Sequence, residues 1–194
     1  MSEIIQTQSF YDGWTRFLVA TIRLSDGRIA KREIEDHGEA VCVLPYHPAR
    51  RTAVLVRQLR APVLFASGEQ ETLEAVAGMI EQEDAAQCAH RETMEEARLK
   101  LDSLEHVFTG WTMPGLSTER MHFYLATYSG GARAEISAGA ADEGESTIAV
   151  EIGLAELARM ADANELKDVK TLVLVQTLRF RRPHLFEAAG ATGA

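Results

Sequence analysis

The sequence predicts an α/β protein: a three-layer α/β/α sandwich around a mixed sheet, with an N-terminal β-hairpin extension. Three observations predict it. Short runs rich in β-branched residues occur before position 60 and again after position 100. One capped helical stretch lies between those runs, and two more helical segments follow the last of them. Ahead of all this, Phe17, Val19 and Ile22 are spaced as on a strand and are followed by the turn Ser25-Asp26-Gly27-Arg28.

In order, the hairpin is expected as strands at about 14–24 and 28–35. Ala40 to Pro45 and Thr52 to Arg60 follow as central strands, separated by the turn-like residues 46–51. Residues 61–70 read as a loop, and Glu71 to Ala77 as a strand. Asp84 with Gln87 three positions on forms a capping-box pattern, which starts a helix. Leu104 to Trp111 and Met121 to Tyr128 are strand-like, joined by a loop containing Pro114 and Gly115. Ser129 to Glu145 is Gly/Ala-rich and acidic and reads as a loop. A last strand at 148–152, a short helix at 154–160 and a longer one at 169–181 complete the fold. The organisation expected is a dimerising hairpin at 1–38, a catalytic domain at 39–182 and a flexible tail at 183–194.

Composition excludes several classes. The chain has 194 residues, 46% hydrophobic and 25% charged, enough for one well-buried domain. Its net charge of −9 argues against a broad nucleic-acid-binding surface, whose phosphates it would repel. Cys42 and Cys88 lack metal or redox spacing and read as reduced core residues. No run approaches the ~18 apolar residues of a membrane span, and residues 1–14 lack the pattern of a signal peptide. A cytoplasmic protein with no membrane partner is expected.

The chemistry centres on residues 78–99. On a helix, Glu92, Glu95 and Glu96 share a face within about one turn. Carboxylates that close repel one another unless a cation intervenes, and hard oxygen ligands suit Mg²⁺ or Mn²⁺. A solvated acidic helix face is the plainer reading of those three acids alone.

Gly78, Arg91, Glu92, Glu95, Glu96 and Leu99 together resemble the Nudix box, the signature of hydrolases that split a nucleoside diphosphate linked to another group. The spacing from Gly78 to Arg91 is one residue short, so the middle acid is Glu83 or Asp84; Glu83 is preferred, which leaves Asp84 as the cap. Thr93 stands at an apolar position. Arg98 replaces the glycine that ends the helix, and a positive φ there would cost about 1 kcal/mol.

The resemblance implies the Nudix-type sandwich and, within the family, the branch that hydrolyses nucleoside diphosphate sugars of the ADP-ribose and GDP-mannose type. It implies a homodimer and a Mg²⁺ cofactor, with Mn²⁺ as a substitute. Metal ligands would be the Ala77 carbonyl, Glu92, Glu96 and Glu145. Glu143 would be the general base, and Glu95 would act with it by orienting the site through Arg91. The acids at 143 and 145 match the branch pattern with one extra residue before Ile148. Substrate contacts are implied for Trp14, Lys31, Arg32, Glu33, Arg60, Gly78, Met79, Glu119 and Lys170. Taken alone, residues 31–33 read as a solvated edge strand. A Nudix-like domain that binds a nucleotide sugar without hydrolysing it, or an enzyme for another diphosphate, is the alternative.

Overall fold

A computed structural model describes residues 1–131, 136–138 and 147–187. The chain forms two compact units, one of residues 1–40 and 109–121, the other of residues 41–108 and 122–194.

The first unit holds an antiparallel sheet in the order β1-β2-β3, formed by β1 (Glu3–Asp12), β2 (Arg16–Arg23) and β3 (Ile29–Asp36). The expected hairpin is β2 and β3, with Arg16 opposite Asp36 and Arg23 opposite Ile29. The Asp26-Gly27 turn closes it, with Gly27 at φ 82°, a conformation that costs glycine nothing. The third strand, β1, was not expected from the sequence. It pairs with β2 along its length and is tied at one end by the Arg23–Glu3 ion pair, while Arg16–Asp36 ties β2 to β3. Its residues are exposed throughout, so no burial period announces it. The loop of residues 112–119 docks on β3, with Glu35 N–H donating to the Leu116 carbonyl and Thr118 N–H to the Glu35 carbonyl, at 2.9 and 2.8 Å.

The second unit is built on a mixed sheet to which belong β4 (Glu39–His47), β5 (Thr52–Gln58), β6 (Thr72–Glu74), β7 (Val76–Met79), β8 (Ser103–Trp111), β9 (Arg120–Thr127), β10 (Ile136–Ala138) and β11 (Thr147–Gly153). The order is β10-β11-β5-β4-β9-β8, with β6 on β5 and β7 on β4. The strands expected to be central are central: β4 and β5 are buried almost throughout, as their unbroken apolar runs require. The single strand expected at 71–77 is instead two, broken at Ala75, where the chain leaves β5 for β4. Part of the expected acidic loop is also a strand, since Ile136–Ala138 pairs with Thr147–Ala149.

Residues 61–70, expected as a loop, contain α1 (Ala61–Ser67). Its punctuation is there in the sequence, Pro62 in the first turn and Gly68 at φ 78° just past the end. None of its residues is buried, so it carries no amphipathic stripe to give it away. Helix α2 (Ala85–Ala97) packs Cys88, Ala89 and Ala97 against Val41, Val43 and Val56 of the sheet. Helices α3 (Leu154–Asp162) and α4 (Val169–Arg181) pack on each other and bury Leu154, Leu157, Leu174 and Leu178. Cys42, alternating with Val41 and Val43 and therefore on the opposite face of β4, lies close enough to Lys170 and Asp168 to feel their charge. After α4, Pro183–Leu185 makes one further 3-10 turn that buries Leu185.

Candidate active site

Helix α2 presents the acids. Its start is fixed by the predicted reciprocal cap: Asp84 Oδ1 accepts from Gln87 N–H at 2.8 Å, and Gln87 Oε1 accepts from Asp84 N–H at 3.2 Å. That leaves Glu83 to grip Arg91, through Nε at 2.9 Å and Nη2 at 2.7 Å, and the two candidate acids divide as preferred. The hydrogen bond from Arg91 holds the Glu83 carboxyl below its usual range. Thr93 is fully buried, and its hydroxyl is satisfied by the Ala89 carbonyl at 2.7 Å, so the helix tolerates a polar residue at an apolar position. Arg98 takes the left-handed conformation, φ 54° and ψ 34°, and its N–H still caps the Met94 carbonyl at 3.1 Å.

Glu92 and Glu96 are buried, Glu95 half-exposed. Both buried carboxylates lie against the backbone of β7. Ala77 N–H donates to Glu96 at 3.2 Å. A Cβ on Gly78 would stand 1.9 Å from the Glu92 carboxyl carbon, so the side chain that glycine lacks is the space that carboxylate occupies. Met79 is held through its carbonyl, which accepts from Arg91 Nη2 at 3.1 Å and from the Cys88 thiol at 3.3 Å. Burial and the neighbouring Glu92 charge push the Cys88 thiol up to about 12, so it stays protonated and can donate that bond. Arg91 also reaches Glu92 at 2.7 Å and Glu95 at 3.0 Å, and so ties Glu83, Glu92 and Glu95 to one cation.

Among the described residues, no group of three or more His, Cys, Asp or Glu could hold a metal ion. The donor set still fits a hard divalent cation. Two buried carboxylates one helical turn apart, both beside the 77–78 backbone, concentrate negative charge and hard oxygen where water cannot screen it. Glu143 and Glu145 lie outside the described residues.

A second cluster forms around Glu74, a buried acid that sequence reasoning missed. Arg60 grips it with two bonds of 3.0 Å, and Lys170 Nζ donates to it at 2.6 Å and to Asp168 at 2.8 Å. Burial alone would raise Glu74, but the bonds and charges of Arg60 and Lys170 outweigh it and bring the carboxyl down to about 2. The cation at the start of α4, which the sequence leaves without an obvious anion, is therefore answered by Glu74 and Asp168. The signal for Glu74 was an acid inside the apolar run Leu73-Glu74-Ala75-Val76.

The remaining candidates belong to the first unit. Arg32 and Glu33 line a cavity of about 530 Å³ with Ile22, Trp111, Ser117 and Thr118. Lys31 is exposed on β3, and its carbonyl accepts from Arg32 at 2.8 Å. Trp14 is exposed and sets the edge of its ring against His37, centroids 4.8 Å apart. Glu119 lies 3.6 Å from His37 and accepts a hydrogen bond from the Thr112 hydroxyl.

Residues 36–172 match the NUDIX domain. The chain belongs to the NUDIX family. It is 29% identical over 179 residues to the GDP-mannose pyrophosphatase of Pectobacterium atrosepticum, covering 90% of this chain and 92% of that one. To the GDP-mannose pyrophosphatase of Cronobacter sakazakii it is 31% identical over 160 residues, or 80% and 82% of the two chains. The fold is also that of a solved ADP compounds hydrolase, with a TM-score of 0.74 at 16% identity over 94% of this chain and 95% of that one. Among the described residues, no helix is long and apolar enough to cross a membrane.

Proposed function

We propose that this Nudix pyrophosphatase hydrolyses the diphosphate of a nucleoside diphosphate sugar, of the GDP-mannose or ADP-ribose type, to a nucleoside monophosphate and a sugar phosphate. The observation that carries the reading is the pair of buried carboxylates, Glu92 and Glu96, seated on the Ala77–Gly78 backbone at the heart of the Nudix segment. The names of the relatives support the substrate class.

Nudix proteins generally use divalent metal ions; here Mg²⁺, with Mn²⁺ as a substitute, would be held by Glu92, Glu96, the Ala77 carbonyl and Glu145. Such an ion supplies Lewis-acid charge to a diphosphate and favours deprotonation of water. The chain's own residues do the rest. Glu143 takes the proton of the attacking water, whose oxygen forms the new P–O bond as the bridging P–O bond breaks. Arg91 fixes the rotamers of Glu92 and Glu95, so the acids are aimed before substrate arrives. Arg60 and Lys170, held in place by Glu74 and Asp168, contact the substrate from that anchored cluster. Trp14, Lys31, Arg32 and Glu33 meet the nucleotide across a homodimer, in which residues 1–38 serve the partner, Glu119 contacts the substrate as well, and the enzyme works in the cytoplasm.

The test is incubation with a panel of nucleotide sugars and Mg²⁺ in ¹⁸O-water, with products identified by mass. The expected result is a monophosphate plus a sugar phosphate, one of them carrying a single ¹⁸O, and no reaction in EDTA. Ligand binding without consumption of any member of the panel would establish the binding-only alternative.

A further inference from the structure

We propose that Thr171, at the start of α4, is a positioning residue for the strand that carries the catalytic backbone; the inference rests on the functional reading above. At Ala75 the chain passes from a pairing with β5 to a pairing with β4. Ala75 is fully buried, so its N–H must be bonded by something other than water. The Thr171 hydroxyl oxygen accepts it at 2.5 Å, and Thr171 is itself fully buried. The hydroxyl's own proton goes to Asp168 Oδ2, which also caps Thr171 N–H at 3.0 Å. That carboxylate orients the hydroxyl, leaving its lone pairs free to face Ala75.

The neighbouring residue is fixed by the same helix turn. Asp168 Oδ1 holds Lys170, and Lys170 holds the carboxylate of Glu74. The side chain of residue 74 and the backbone of residue 75 are thus both moored to the first turn of α4. Two residues on, Ala77 N–H meets Glu96, and the Glu92 carboxylate fills the space beside Gly78. An extended chain transmits displacement over two residues, roughly 7 Å, with little slack. The first turn of helix α4 therefore sets where β7 meets the acids of α2.

Thr171→Val keeps the shape and removes the acceptor, while Thr171→Ser keeps the acceptor. Amide exchange at Ala75 and Ala77 followed by NMR, and Mn²⁺ affinity followed by electron paramagnetic resonance, read the strand and the site separately. In Thr171→Val both amides should exchange faster and Mn²⁺ should bind more weakly, each by roughly fivefold to tenfold, the scale of one buried hydrogen bond. Thr171→Ser should restore both. Leu157→Ala, a cavity in α3, serves as the control: it lowers global stability and should leave Mn²⁺ affinity unmoved. Wild-type exchange at Ala77 in Thr171→Val, or an equal loss of Mn²⁺ affinity in Leu157→Ala, would overturn the proposal. A wild-type protein that takes up no Mn²⁺ contradicts the functional reading instead, and the exchange of Ala77 then decides the positioning role by itself.

Discussion

Replacing Glu74 by Gln removes one charge from a buried site and leaves Arg60 and Lys170 facing a neutral amide. Glu74 titrates at about 2 in the folded chain against an ordinary value of 4.5. At 1.36 kcal/mol for each pH unit, that interval corresponds to roughly 3 kcal/mol of stability at neutral pH. The sign follows from the direction. A carboxyl depressed on folding contributes fully above its unfolded value, loses its contribution as pH falls from 4.5 towards 2, and contributes nothing further below that. Urea unfolding of the Gln variant followed by far-UV circular dichroism should therefore show a loss of about 3 kcal/mol at pH 7, with a Tm lower by about 6–12 °C for a chain of this size. The difference from wild type should shrink as pH falls from 4.5 to 2. Circular dichroism is the better probe, because Trp14 and Trp111 both lie in the first unit and Glu74 in the second. A Gln variant within about 0.5 kcal/mol of wild type at pH 7, the range of ordinary surface substitutions, would refute the account of this cluster.

Three further outcomes are expected. Gly78→Ala places a methyl 1.9 Å from the Glu92 carboxyl carbon, and the carboxylate must move to make room; turnover should fall by about 10²-fold, the scale of an ångström-sized misplacement, with little change in Tm. Arg98→Gly relieves a left-handed non-glycine backbone at φ 54° and should stabilise the chain by about 1 kcal/mol in urea titration. Asp84→Ala removes the side chain that caps α2 and should cost about 1 kcal/mol in the same titration.

What was legible in the sequence was local chemistry. The Asp84–Gln87 cap, the left-handed residue at 98 and the helix carrying Glu92 and Glu96 each follow from residues within a few positions of one another. The central strands were legible because burial on both faces writes an unbroken apolar run. What escaped depends on partners distant in the chain. Strand β1 has no buried face and exists through its pairing with β2. The break at Ala75 reflects a change of neighbouring strand, which no local pattern encodes. The anion that holds Lys170 escaped as well, because Glu74 lies 96 positions away in the chain. For Gly78 the family pattern marks the position, and the structure supplies a reason in the space taken by the Glu92 carboxylate.

The most direct measurement is a Mn²⁺ titration of the wild-type protein and Glu96→Gln by electron paramagnetic resonance, with Mg²⁺-dependent turnover of a nucleotide sugar recorded on the same samples. Tight ion uptake and turnover that both collapse in the variant, while its circular dichroism spectrum is unchanged, are what two buried acids on the Ala77–Gly78 backbone require. A Gln variant that binds the ion and turns over substrate as wild type does would contradict them.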